Sequence, residues 1–155
     1  MLIFEKIVKE MKRTLTIIAC LMLSVLAFAQ RTDLCSVNAD SKDYQVFSFK
    51  DADGTLGYYL SLASPTCIYI GSNAAEALRT LNSIVNLVDS PEGTVQEFPA
   101  RAISGGQLGT FGTTASIVEK KSGPKHISFP YNQAESYLTK KAATAIVSAA
   151  KGVLK

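Results

Sequence analysis

Apolar and polar residues alternate along Tyr44-Gln45-Val46-Phe47-Ser48-Phe49-Lys50, the two-residue period of a half-buried strand in a stretch rich in strand formers. Asp51-Ala52-Asp53-Gly54 supplies a turn, because Gly54 takes positive φ without steric cost. Residues 56–63 return, with Leu56, Tyr58, Leu60 and Leu62 sharing one face. Ser64-Pro65 breaks the strand, and Cys67-Ile68-Tyr69-Ile70 predicts a third. The period then changes. Leu78, Leu81, Val85 and Val88 recur at three- and four-residue steps, one apolar stripe of a helix that Asn73 caps and Glu76 supports in the manner of a capping box. Ser90-Pro91-Glu92-Gly93 ends it.

Three more extended stretches are predicted near residues 94–102, 109–120 and 126–130. A second helix is expected over 133–153, capped by Asn132, with Ala134, Leu138, Ala142, Ala145, Ile146, Ala149 and Val153 as its buried stripe. Elements around Pro65, Asn73 and Glu76 recur 59 residues later at Pro124, Asn132 and Glu135. The match is either a true β-β-β-α repeat or the chance recurrence of a common turn, strand and cap order. In either case the pattern predicts an α+β fold: a mostly antiparallel sheet of about six strands with two helices on one face. Ile68, Ile70, Ile127 and Phe129 point toward the helices, and Cys67, Tyr69, His126 and Ser128 point away.

The N-terminal region follows neither period. Met11-Lys12-Arg13 precedes an unbroken apolar run over residues 15–29 that ends in Ala27-Phe28-Ala29. These are the positive region, hydrophobic core and small-residue cleavage site of a secretory signal peptide, and they resemble a bacterial Sec leader. Glu5 and Glu10 do not suit the positive region, so translation is expected to start at Met11. A transmembrane helix is the competing reading, although the run falls short of the roughly twenty apolar residues a bilayer requires. A lipoprotein signal ending at Cys20 is another, and it would strand an apolar run behind the modified cysteine.

Cleavage after Ala29 changes the remaining bookkeeping. Of 155 residues, 126 remain: residues 30–42 as a flexible polar segment and 43–155 as one α+β domain large enough for its own core. Four cations and two anions depart with residues 1–29, lowering the net charge from +3 to +1. Near neutrality gives no electrostatic reason for a nucleic-acid partner. No stable transmembrane anchor is expected after cleavage, and the periplasm or extracellular space is the expected compartment.

Cys35 and Cys67 survive processing, and in an oxidising compartment they form either one disulfide or two separate thiols. His126, the only histidine, rules out a multi-histidine metal site and is expected at the solvated start of a strand. Asp51-x-Asp53-Gly54 resembles the opening of a calcium loop, but Leu62 stands where the closing acid belongs. The glycines 105, 106, 109 and 112 lack the Gly-Lys-Ser/Thr ending of a phosphate loop and precede a strand, which favours a loop or kinked edge strand. No cofactor or metal is expected. Tyr44, Tyr59 and Tyr69 are expected to share the sheet face away from the helices, as a candidate binding surface.

The function expected from these features is a small exported, non-catalytic binding module acting on an envelope protein or small ligand. The alternatives are a small hydrolase pairing His126 with a cysteine, and a self-associating structural protein in which a homodimer hides the tyrosine face.

Overall fold

A computed structural model describes residues 2–26, 29–62, 65–131 and 134–155. The elements run α1 (Leu2–Leu26), β1 (Gln30–Ala39), β2 (Lys42–Lys50), β3 (Leu56–Ser61), β4 (Thr66–Gly71), α2 (Ala74–Val88), β5 (Val95–Ser104), β6 (Gln107–Glu119), β7 (His126–Tyr131), β8 (Ala134–Thr139) and α3 (Lys140–Val153). The strands form one antiparallel sheet in chain order, β1 to β8. The α+β class is as expected, with eight strands in place of six. Both additional strands lie at the ends of the sheet.

Residues 30–39, expected to be a flexible segment, form β1 and pair with β2 from Gln30↔Lys50 to Ala39↔Lys42. Leu34, Cys35 and Val37 pack on the helix-side core, which gives this polar-looking segment its reason to order. The other addition is β8. Residues 134–139 were expected to be helical, yet Leu138 pairs with Ile127 and Tyr137 with Ser128. The α3 helix begins at Lys140, and its cap is Thr139, whose hydroxyl accepts a hydrogen bond from the Ala142 N–H at 3.1 Å. A Tyr-Leu-Thr run favours strand, and a threonine hydroxyl suits the N-cap. Those preferences outweigh the alanine-rich spacing that continues across the junction. The shorter helix buries Ala142, Ala143, Ile146, Val147 and Ala150, so the stripe anticipated from Ala134 is displaced. Asn132, the expected cap, lies outside the described residues.

The first helix starts where its sequence indicates. Asn73 Oδ1 accepts from the Glu76 N–H at 2.9 Å. The Glu76 carboxylate reaches one residue further back than a standard capping box, accepting from the Ser72 N–H at 2.8 Å and the Ser72 hydroxyl at 2.7 Å. Gly71 is required here because the first turn of α2 sits directly on it: a Cβ would lie 2.6 Å from Glu76 Cβ and 2.8 Å from the Ala77 nitrogen.

The helices α2 and α3 pack on one face of the sheet. Val46, Leu60, Ile68, Ile70, Val118, Ile127, Phe129 and Leu138 meet Leu81, Ile84, Ile146 and Ala150 there. The sheet curls around this core until its first hairpin reaches its last strand. The Tyr44 hydroxyl donates to the Tyr137 carbonyl at 3.0 Å, and the Thr139 hydroxyl donates to the Asp40 carboxylate. In α1, Ile3, Phe4, Ile7, Met11, Leu15 and Ile17 are exposed, and among the described side chains of this helix none belongs to either core. Among the described residues no helix is long and apolar enough to cross a membrane.

Cys35 and Cys67 are free thiols and cannot be bridged within this sheet. Cys35 on β1 neighbours Val46 on β2, which neighbours Leu60 on β3 and then Ile68 on β4. Three strand spacings separate the two cysteines by roughly 14 Å, whereas a disulfide needs Cα atoms within about 7 Å. They also occupy opposite faces, Cys35 against the helix-side core and Cys67 in the outer cluster.

Two measurements test this architecture. Thr139→Ala and Asn73→Ala should each lower the unfolding free energy in urea by about 0.5–2 kcal/mol, whereas capping by Asn132 alone would leave Thr139→Ala silent. Alkylation of unfolded, unreduced protein should modify both Cys35 and Cys67, and protection of the two together would restore the disulfide.

Candidate functional site

Across β2–β4 the sheet face away from the helices is apolar as well. Period-two alternation puts Phe47 and Phe49 on that face of β2, Tyr59 on β3, and Cys67 and Tyr69 on β4. Tyr59 and Tyr69 therefore occupy the expected face, Cys67 with them. Tyr44 does not: it shares parity with Val46 and lies buried in the helix-side core, where its hydroxyl reaches Tyr137. An aromatic residue near a strand start can serve either face, and here the curl of the sheet supplies a carbonyl for the hydroxyl.

The outer aromatics form a row across the strands. Phe47 stacks on Tyr59 at 5.4 Å between ring centroids, and Tyr69 meets Tyr59 edge-on at 5.6 Å. Phe111 of β6 meets Tyr69 edge-on at 5.6 Å. These spacings and tilts are the favourable ones for ring quadrupoles. Gly57 makes room for the row, since a Cβ there would approach the Tyr59 ring within 2.9 Å. Arg31 closes one end with its guanidinium 3.9 Å from the Phe47 centroid. Phe47 and Tyr59 are buried, Tyr69 is half-buried, and Phe111 is 56% exposed. Of this row, the Tyr69–Phe111 end is the one open to solvent.

Arg101 organises that end. Its Nη1 donates to Asp51 Oδ2 at 3.0 Å and to the Tyr59 hydroxyl at 2.9 Å. Nη2 donates to Asp51 Oδ1 at 2.9 Å, and Nε donates to the Gly109 carbonyl at 2.7 Å. The fork-to-fork pair with Asp51 is the strongest geometry a guanidinium offers a carboxylate. It holds the guanidinium above its ordinary pKa, with Asp51 the leading cause. The same guanidinium lies 4.6 Å from the Phe111 ring centroid, within cation–π range. Arg101 is only 7% exposed, so its polar atoms depend on these partners. The Cys67 thiol donates to the Arg101 carbonyl at 3.4 Å. Burial pushes its pKa up to about 11, which keeps it a protonated, poorly nucleophilic thiol. Burial raises Cys35 as well.

The two acids of the Asp51-x-Asp53-Gly54 turn are both engaged: Asp51 holds Arg101, and Asp53 Oδ1 accepts from the Thr55 N–H at 2.9 Å. Among the described residues no cluster of histidine, cysteine, aspartate or glutamate could hold a metal ion. Gly105 and Gly106, at φ 56° and 76°, make the tight two-residue turn between β5 and β6. The glycine-rich stretch is thus a hairpin.

His126 is less solvated than expected. It lines a cleft of about 390 Å3 with Asp40, Lys121, Pro124, Tyr137 and Thr139. Its Nε2 lies 3.8 Å from Glu119 Oε2, its Nδ1 lies 3.2 Å from the Pro124 carbonyl, and its ring centroid is 5.4 Å from that of Tyr137. The Ser128 hydroxyl donates to the same Glu119 oxygen at 2.8 Å and, as the leading cause, holds that carboxyl below its usual range. Ser128 and His126 thus both turn toward Glu119, an arrangement that occupies the serine hydroxyl proton. Neither cysteine is among the partners of His126.

Sequence reasoning missed Arg101, Asp51 and Phe111 as members of the outer face. One signal was available: Arg101 is the sole charge in Phe98-Pro99-Ala100-Arg101-Ala102-Ile103, a lone guanidinium among small and apolar residues of a strand. Comparison with protein-family models, characterised proteins and solved structures finds no match, so the functional reading rests on the residues themselves.

The buried acids give a pH signature. Cys67 rises from 9.0 to about 11 and Tyr44 from 10.0 to about 12 on folding, chiefly by burial. A folded-state pKa above the unfolded value stabilises fully below the unfolded pKa and loses that contribution as pH climbs through the folded one. Unfolding midpoints in urea should therefore hold steady to about pH 9 and fall between about pH 9 and 12, and Tyr44→Phe should lessen the upper part of the decline, to which Tyr59, also raised by burial, contributes as well. A midpoint unchanged across that window would contradict the burial of both groups.

Proposed function

We propose that this chain is a small exported protein that acts as a non-catalytic binding module, with Tyr69 and Phe111 as its contact surface. The observation that carries the reading is an accessible aromatic pair whose neighbouring cation is already fixed. Phe111 projects from a strand, Tyr69 braces it edge-on, and Arg101 is held beneath by Asp51, Tyr59 and Gly109. Rigid aromatic and guanidinium anchors of this kind cost little entropy to engage and dominate binding energies where they occur. The partner that suits the surface is an envelope protein presenting an apolar or aromatic side chain, or a small ligand with a planar apolar face.

Export is supported by the basic pair, the apolar run and the Ala-x-Ala ending. The coincidence of Gln30 with the start of β1 agrees with it, because cleavage after Ala29 would leave every strand intact. The cysteine–histidine hydrolase draws no support from the site: both thiols are held protonated by burial, and His126 is turned toward Glu119 and Tyr137.

Intact mass of the protein recovered from the native envelope or medium should correspond to a chain beginning at Gln30. A diacylglyceryl-modified Cys20 or retention of residues 15–29 would overturn the export reading. Affinity capture from the native envelope fraction should recover a partner that Tyr69→Ala and Phe111→Ala each weaken by about tenfold or more, on the scale of a binding hot spot. A partner retained equally by both variants would place binding elsewhere.

A further inference from the structure

We propose that β6 is an interface strand whose free edge pairs antiparallel with the same edge of a second copy of this chain, joining two sheets across a two-fold axis. On one side β6 pairs with β5 from Val95↔Ile117 to Arg101↔Phe111 and again at Ile103↔Leu108 and Ser104↔Gln107, with a bulge between the two stretches. On the other side β7 reaches only Ile117, Val118 and Glu119. Among the described residues, 107–116 have no strand partner on that side, and most of their side chains are exposed. An open edge of this length presents a row of unpaired N–H and C=O groups, which is a template for another strand.

The outer strands of the sheet are defended against such pairing and β6 is not. The β1 strand carries Arg31 and Asp33 and is bulged between Asp33 and Cys35. At β8, the first hairpin lies close by, with the Tyr44 hydroxyl on the Tyr137 carbonyl and the Lys42 ammonium 3.6 Å from the Tyr137 ring centroid. Charges and bulges of this kind are how natural sheets discourage edge-to-edge association. Residues 107–118 read Gln-Leu-Gly-Thr-Phe-Gly-Thr-Thr-Ala-Ser-Ile-Val, without a charge or a proline.

A second copy fits this edge better than a foreign peptide. Antiparallel self-pairing sets the strand against itself, and an uncharged strand meets no like-charge repulsion there. With the axis at Gly112, Phe111 of each copy faces Thr113 of the other and Thr110 faces Thr114, pairs of aromatic and β-branched residues that suit a sheet. Specific strand capture instead relies on pockets for alternate side chains. The depression of about 470 Å3 near this strand is lined by Thr66 of β4, by Ala100, Arg101 and Ala102 of β5 and by residues 110–115 of β6, so it lies over the paired strands and supplies no row of pockets along the free edge. Self-pairing would also bring two Phe111 rings onto one outer face, doubling the contact surface without hiding it.

Sedimentation velocity of the purified protein from low to high micromolar concentration tests the proposal. A reversible monomer–dimer equilibrium is expected, and Thr113→Lys should shift it to monomer by placing like charges near the axis. Thr110→Glu serves where Thr113→Lys fails to fold, and the far-ultraviolet spectrum distinguishes folding failure from dissociation. Amides of residues 109–115 should exchange more slowly at high than at low concentration. A monomer at every concentration, a dimer that both substitutions leave intact, or protection that maps to β1 or the Tyr69 face would overturn it. Protection of residues 109–115 that arises only on adding envelope extract to a monomer would assign the edge to a foreign strand, and so overturn it too.

Discussion

A single sheet that is apolar on both faces across β2–β4, with helices described on only one of them, is the constraint on which the rest of this structure depends. The helix-side core is conventional: α2 and α3 bury the branched residues of every second position. Burying one such side chain contributes roughly 1.5–3 kcal/mol, and this layer carries most of the stability. Among the described residues no helix packs on the outer face. Phe47, Phe49, Tyr59 and Cys67 are nevertheless buried, with Ala29, Tyr69, Ile103 and Leu108 packed against them. Ile103 and Leu108 belong to the end of the β5–β6 hairpin, so the long hairpin substitutes for a missing layer. Its bulge between Arg101 and Ile103 is the irregularity at which the arm turns.

Holding that arm down requires more than apolar contact, because its tip is largely exposed. Arg101 provides the tie. It links the hairpin to the β2–β3 turn through Asp51, to the sheet through Tyr59, and to the neighbouring strand through Gly109. The same tie sets the position of Phe111 against Tyr69, and so a stabilising arrangement also shapes the exposed aromatic surface. The long hairpin has a further consequence, since a 13-residue β6 outruns the strand on its other side and, among the described residues, leaves 107–116 without a strand partner there.

Much of this was legible in the sequence. The face assignments of Ile68, Ile70, Ile127 and Phe129 against Cys67, Tyr69, His126 and Ser128 hold, because period two in a strand leaves no freedom once one residue is placed. Asn73 was legible because an N-cap is local chemistry. The strand β1 was not, since its polar composition conceals that Leu34, Cys35 and Val37 meet a core assembled from distant residues. The start of α3 was misplaced because helical spacing of alanine and leucine continues through 134–139, while the pairing that wins there, Leu138 with Ile127, is set by tertiary contact. The disulfide depended on proximity between strands whose order the sequence does not encode locally. Arg101 and Asp51, fifty residues apart, could not be paired for the same reason.

The tie between hairpin and sheet is measured most directly by a double-mutant cycle of Asp51→Ala and Arg101→Met, read as equilibrium unfolding in urea. A bidentate, largely desolvated pair predicts a coupling of about 2 kcal/mol or more. A coupling below about 0.5 kcal/mol, the range of an exposed surface pair, would mean that apolar contact alone holds the arm and would contradict the account.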